Sequence, residues 1–264
     1  MVALSRELKC SRTIVYAPLL KRLAPCQRTK SKAFETSLTF KKGVMNILIV
    51  VLAVGLLAGL LYCEKKEVPQ ARLTAKSLLS SLFIFAAVVQ PHAIPLYYRF
   101  LMVGMIFCLG GDIFLALPGK NMFLFGLVCF LMGHVFYAVA FFYTAGFNQW
   151  SSTGVAISTL AGLGVFLWLR PHLGFMKIPV ICYILVISVM VIGAWSMAGA
   201  GELIPAGRLS AFVGALGFYV SDIFVARQRF LKMDFVNRLL GLPLYYGGQF
   251  MLAFSIGWIK PIGG

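Results

Sequence analysis

Charge is scarce in this 264-residue chain: 12% of its residues are charged and only eight are acidic, against 60% hydrophobic side chains and a mean hydropathy of +0.89. That leaves too little polar surface to coat a water-soluble globule of this size. The three histidines, His92, His134 and His172, lie far apart, and only His134 falls within an apolar stretch. A histidine-clustered metal centre is therefore not expected, and neither a metal nor another cofactor is implied. The six cysteines show no C-x-x-C spacing; Cys108, Cys129 and Cys182 sit in apolar segments and read as packing thiols. There is no period-2 alternation of the kind an outer-membrane barrel requires, and no polar stretch long enough for a soluble domain.

What remains is a polytopic integral membrane protein, all-α, with any activity inside the bundle. A helix needs about 20 apolar residues to cross the hydrocarbon. Eight segments meet or approach that length: 46–62, 77–90, 98–117, 122–145, 153–169, 178–198, 209–226 and 239–258, the second being the shortest. Turn formers punctuate them, including Pro69, Pro91, Pro118, Pro171 and Pro205.

Lysine and arginine set the expected orientation. Outside the first 44 residues, the connections after segments one, three, five and seven carry 11 of them and the opposite side 3, namely Arg99, Arg208 and Lys260. The odd-numbered connections are expected in the cytoplasm, and the protein in a bacterial cytoplasmic membrane. Residues 1–44 conflict with this, since they hold ten lysines and arginines against Glu7 and Glu35 and would be drawn to the same side. A functional start at Met45, in "KKGVMNILIV", resolves the conflict; the alternative is a disordered basic tail with affinity for anionic lipid. The chain thus divides into 1–44 and an eight-helix domain over 45–264. The net charge of +16 does not indicate nucleic-acid binding, because no recognisable module accompanies it.

Two phrases repeat. "GMIFCLGGDIFLA" begins at Gly104 and "GALGFYVSDIFVA" at Gly214, each eight residues before an aspartate, Asp112 and Asp222. Four segments separate them, so the third and seventh helices run in the same direction, as in a duplicated four-helix unit. Of the eight acids, Glu64, Glu67, Glu202 and Asp234 fall in connections and Glu7 and Glu35 in the tail, which leaves Asp112 and Asp222 inside the membrane. Ionisable groups at that depth are costly, face the bundle interior and mark functional sites. Paired acids on a repeat suit an enzyme, and suit equally a proton-coupled carrier or channel. An intramembrane aspartyl protease would need flanking motifs that are absent.

With "GGDIFLAL", "FLMGHVFYAVAF", "FYVSDIFVARQRF" and "YYGGQFMLAF" in this order, the stretch from Met45 to Trp258 resembles the YhhN-like lysoplasmalogenase family of eight-span membrane proteins. The resemblance implies hydrolysis of the vinyl ether bond of a lysoplasmalogen, yielding a fatty aldehyde and glycerophosphoethanolamine or glycerophosphocholine. The partners implied are a lysophospholipid substrate and the surrounding membrane lipid. Carried over by position, the family's acidic motifs fall on Asp112 and on Ser221–Asp222, and its histidine motif on Gly133, His134 and Tyr137. Its last-helix motif falls on Tyr245, Tyr246 and Gln249, and a lysine opening the second helix matches Lys76, here followed by Ser77 where the family usually has proline.

Vinyl ether hydrolysis begins with a proton delivered to the carbon β to oxygen, giving an oxocarbenium ion that water captures. The expected site is therefore an acid and a base, Asp112 and Asp222, sharing a proton as neighbouring carboxyls do. The sequence leaves their roles open and favours Asp112 as the acid. Lys76 is read as a ligand for the lipid phosphate or as a side chain reaching the interface. His134 is read as a structural hydrogen-bonding group, with Tyr137 on its face, and Tyr245, Tyr246 and Gln249 as lining the site or bridging helices. Arg229 is read as an anchor at the cytoplasmic surface.

Overall fold

The computed structural model describes residues 41–119 and 121–263. The tail expectation therefore lies, for residues 1–40, outside the described residues, as does Lys120 of the charge count. Residues Met1–Val51 and Leu52–Gly264 form two compact units; of the first only the start of one helix is described, and the fold and site below belong to the second.

Among the described residues eight helices are long and apolar enough to cross a membrane. They are α1 (Lys41–Lys66), α2 (Pro69–Val88), α3 (Pro95–Ala116), α4 (Met122–Ala145), α5 (Gln149–Leu169), α6 (Lys177–Gly199), α7 (Pro205–Phe230) and α8 (Phe235–Trp258). The only strand-like feature among the described residues is a single bridge between Leu203 and Pro261.

Local chemistry explains the boundaries. Proline opens α2, α3 and α7, where its fixed φ suits the helix and its missing N–H costs nothing. Asn148 and Ser151 close a reciprocal capping box on α5, and Asp234 caps α8 by accepting from the Val236 amide. Gly146, at φ +60°, ends α4 in a conformation other residues resist.

Two boundaries correct the sequence reading. Helix α2 begins at Pro69, eight positions before Ser77, because its opening turns carry Gln70, Arg72, Thr74 and Lys76 and are too polar to read as part of an apolar segment. Lys41 to Val44, assigned to the tail, already belong to α1. Glu64, assigned to a connection, sits in the last turns of α1 and is 8% exposed.

Helix contacts follow the repeat. In the first half α3 packs on α4 and α2 on α3; in the second α7 packs on α8 and α6 on α7; α4 meets α6 across the halves, and α8 meets α2 in the same way. Glycines set the closest approaches. A Cβ on Gly104 would stand 3.0 Å from the Gly133 carbonyl oxygen, and one on Gly214 would stand 2.8 Å from that of Gly248. Further along, a Cβ on Gly126 would lie 3.3 Å from the Gly111 oxygen, and one on Gly241 3.7 Å from the Ser221 oxygen. Positions 104 and 111 map onto 214 and 221 with one offset, 110, and positions 133 and 126 onto 248 and 241 with another, 115. The α3–α4 hairpin is thus rebuilt as α7–α8, both held by small residues, as close helix packing in lipid requires.

Candidate active site

Ser80 and Lys76 are one turn apart on α2, so both face α3. There Asp112, 2% exposed, accepts the Ser80 hydroxyl on Oδ2 at 2.6 Å. The same oxygen accepts the Tyr245 hydroxyl of α8 at 2.7 Å. The Lys76 Nζ stands 3.9 Å from Oδ1, and Lys76 is 3% exposed. Asp112 is therefore gripped from the helix before it and from a helix of the other half. Two hydroxyl donors and a nearby ammonium around one carboxyl suit its ionised form.

Asp222 of α7 is approached from the equivalent helices by different residues, with one hydrogen bond in place of two. The Tyr183 hydroxyl of α6, again the preceding helix, donates to Oδ2 at 2.5 Å. His134 of α4, again from the other half, places Nε2 3.7 Å from that oxygen. The His134 ring is fully buried, edge-on to Tyr183 with centroids 5.3 Å apart and against Phe218 at 4.5 Å. The side chain of Asp222 is 16% exposed and that of Asp112 3%, so Asp222 is the more open of the two acids.

Both acids line one cavity, together with Lys76, Tyr183, Ser221 and Tyr245. Away from them its wall is apolar, formed by Phe123, Leu127, Val165, Leu169, Val180 and Ile184 on α4, α5 and α6. Phe130 and Tyr245, edge-to-face at 5.7 Å, form an aromatic corner of the cavity, with Phe218 behind them. The cavity thus combines a polar patch around the acids with an apolar slot beside it. An aromatic corner of this kind can stabilise a cation held above its rings. Among the described residues no hydrogen bond joins Asp112 to Asp222, and each acid has its own donors.

The remaining candidates divide. Tyr245 and Ser221 reach the cavity, and Lys76 faces inward to Asp112 instead of reaching for the interface. Tyr137 turns away: its hydroxyl donates to Gln249 Oε1 at 2.7 Å and lies 3.7 Å from Cys108 Sγ, tying α3, α4 and α8 together behind the site. Tyr246, 1% exposed, packs on the Tyr245 ring at 4.7 Å and does not line the cavity. The Arg229 guanidinium covers the Phe123 ring at 4.6 Å. Three groups escaped the sequence reading: Ser80, Tyr183 and Arg238. The spacing of Ser80 one turn after Lys76 was a usable signal, whereas Tyr183 sits in an apolar run that gives none. Among the described residues no cluster of three or more histidine, cysteine or acidic side chains could hold a metal ion.

The sequence matches the YhhN family over residues 71–256. A Bos taurus protein named lysoplasmalogenase TMEM86A is 33% identical over 160 residues, covering 59% of this chain and 64% of that protein. The Homo sapiens protein of the same name is 34% identical with the same coverage. A Mycobacterium tuberculosis protein named lysoplasmalogenase is 28% identical over 190 residues, 67% of this chain and 69% of that one. The chain thus spans less than two thirds of the length of the mammalian relatives it matches. No solved structure matches it.

Proposed function

The chain belongs to the YhhN family, and from that premise we propose that it hydrolyses the vinyl ether bond of lysoplasmalogens, with Asp222 as general acid and Asp112 as the ionised partner. The observation that carries this reading is the pair of differently furnished carboxyls on one largely apolar cavity. Relatives named lysoplasmalogenase support the substrate class.

In this mechanism the alkenyl chain lies in the apolar slot with its double bond between the two acids. Asp222 donates its proton to the alkene carbon β to oxygen, and the electron pair of the double bond moves to form the C–H bond, leaving an oxocarbenium ion. Asp112, kept as a carboxylate by Lys76, Ser80 and Tyr245, faces that cation and takes a proton from the attacking water. The hemiacetal then collapses: its O–H proton passes to Asp222 and the proton on Asp112 goes to the departing glycerol oxygen, which gives the fatty aldehyde and the glycerol hydroxyl, restores both acids and consumes one water overall. This reverses the roles favoured from the sequence, because the donors converge on Asp112 and the access lies at Asp222. Tyr183 acts through Asp222 and Ser80 through Asp112, as positioning residues.

The test is product analysis in heavy water with the purified full chain and a 1-alkenyl lysophosphatidylethanolamine. One aldehyde per glycerophosphoethanolamine is expected, with one deuterium on the aldehyde carbon next to the carbonyl. No aldehyde would leave the carrier reading in its place. Aldehyde without deuterium would exclude protonation of carbon as the first step.

A further inference from the structure

Arg72, Lys76 and Ser80 follow one another at four-residue intervals on α2, a single stripe about 6 Å per step along the helix. Its inner end is at Asp112 and its outer end at Glu64, beside the cavity-lining Arg238. There the buried carboxylate of Glu64 stands between two guanidiniums, with Oε2 3.6 Å from Arg72 Nη1 and 3.8 Å from Arg238 Nε. Arg238 lines the cavity, yet among the described residues no hydrogen bond engages any of its N–H groups. The Arg72 Nε and the Glu64 Oε1 are likewise buried without a hydrogen-bond partner. Lys76, although 3% exposed, has its closest carboxylate oxygen at 3.9 Å, beyond hydrogen-bond reach.

The local charges do not cancel. Glu64 serves two arginines and Asp112 one lysine, so this stripe and its partners hold three cations against two carboxylates. The α7–α8 corner that presents Arg238 is fixed: Asn237, 2% exposed, accepts from Arg227 at 2.5 Å and donates to Gln228 Oε1 and to the Lys232 carbonyl, each at 2.8 Å. A guanidinium that shares one carboxylate with Arg72 and keeps 29% of its side chain exposed, and a buried ammonium beside it on a rigid frame, leave one positive charge in excess and match a phosphodiester.

We propose that Arg238, with Lys76 and Arg72, forms the subsite for the phosphodiester of the lysolipid head group. This rests on the activity reading above and deepens it. The glycerol then bridges the two ends of the α2 stripe, with the head group at the mouth and the vinyl ether beside Asp112 and Asp222.

The test compares 1-alkenyl lysophosphatidylethanolamine with 1-alkenylglycerol, which has the same vinyl ether and no phosphate. Arg238→Gln is expected to reduce the ratio of their kcat/KM values by about ten- to a hundredfold, mainly through KM, as loss of charge-assisted hydrogen bonds would. Arg238→Lys, which keeps charge but not the fork, should fall between. An unchanged ratio, whatever the absolute rates, overturns the assignment. If Arg238→Gln does not fold, Arg238→Lys and Arg72→Gln carry the same ratio test.

A second arm reads binding alone, so that failure of the activity reading is distinguishable. Lysophosphatidylethanolamine, an ester without the vinyl ether, should bind the full chain in detergent more tightly than monoacylglycerol, and Arg238→Gln should erase the preference even if no aldehyde is ever released. No preference in the wild type overturns the subsite. Inorganic phosphate binding alone, with no lysolipid preference, would make it a free-phosphate site and overturn the head-group assignment.

Discussion

Lys76 and Asp112 offer a test in which stability and catalysis separate. Both side chains are almost fully buried, and the ammonium stands 3.9 Å from the carboxylate. Removing one partner of a buried pair typically costs about 3–5 kcal/mol, because the other charge is left behind. Two features place this pair at the lower end. Asp112 retains the Ser80 and Tyr245 hydroxyls when the lysine goes, and polar groups of a helix unfolded within detergent find other partners. We therefore expect Lys76→Met and Asp112→Asn each to cost roughly 2–3 kcal/mol. The double variant should cost no more than either alone, a coupling of about 2 kcal/mol. Reversible unfolding in mixed micelles, followed by tryptophan fluorescence, measures all four corners of the cycle. Aldehyde release should stay lost in the double variant, since restoring neutrality does not restore the carboxylate. Strictly additive costs would refute the pairing, and recovery of turnover in the double variant would refute the role given to Asp112.

Asp222→Asn keeps the shape and removes the proton, so turnover should fall by about 10² to 10⁴ with binding of lysolipid retained, and near-normal turnover would make the acid structural. Gly248→Ala should lower the melting temperature, because its Cβ would stand 2.6 Å from the Gly214 carbonyl oxygen, whereas Gly247→Ala, with nothing within 4 Å, should not. We propose that the odd-numbered connections face the cytoplasm; a single cysteine placed at Lys66 or Lys232 should then resist an impermeant reagent applied outside the cell, and its modification would reverse the topology.

Hydropathy reads contact with lipid, and seven of the eight spans were legible to within five residues at each end for that reason. The start of α2 was not, because Arg72 and Lys76 are polar residues covered by other helices, and a window average cannot distinguish covering from exposure. Asp112 and Asp222 stood out because a lone acid in an apolar run has no lipid-facing solution. Of their partners, Lys76, His134 and Tyr245 came only with the family resemblance and Ser80 and Tyr183 not at all, since partner choice depends on helix rotation and crossing. His134 and Tyr137 lie one turn apart, yet the first reaches Asp222 and the second bonds Gln249. Glu64 looked like a loop residue because it precedes Lys65 and Lys66, and only the packing of α2 and α8 reveals it as the anchor of two arginines.

The repeat itself supplies the last argument. Helix α2 and helix α8 hold Asp112, while α6 and α4 hold Asp222, so the two acids occupy equivalent places in the two halves. With the offset of 115 that relates α4 to α8, Tyr245 corresponds to Phe130. Tyr245 donates to Asp112, and Phe130 has no hydroxyl with which to donate to Asp222. A perfectly symmetric site would furnish two like carboxyls, whereas this one gives Asp112 two hydroxyl donors and an ammonium and Asp222 one hydroxyl donor, the difference on which the proposed proton donation by Asp222 rests. Phe130→Tyr should therefore damage the enzyme by making the halves more alike. Its hydroxyl, placed by the same geometry that aims Tyr245 at Asp112, would hold Asp222 as a carboxylate and withdraw it from proton donation. A hydrogen bond to a charged group is worth about 1.5–3 kcal/mol, so kcat should fall by roughly ten- to a hundredfold, KM should change little, and the fall should shrink as pH is lowered. An undiminished kcat in a folded Phe130→Tyr variant would mean that the asymmetry of the two halves does not divide the labour between their acids.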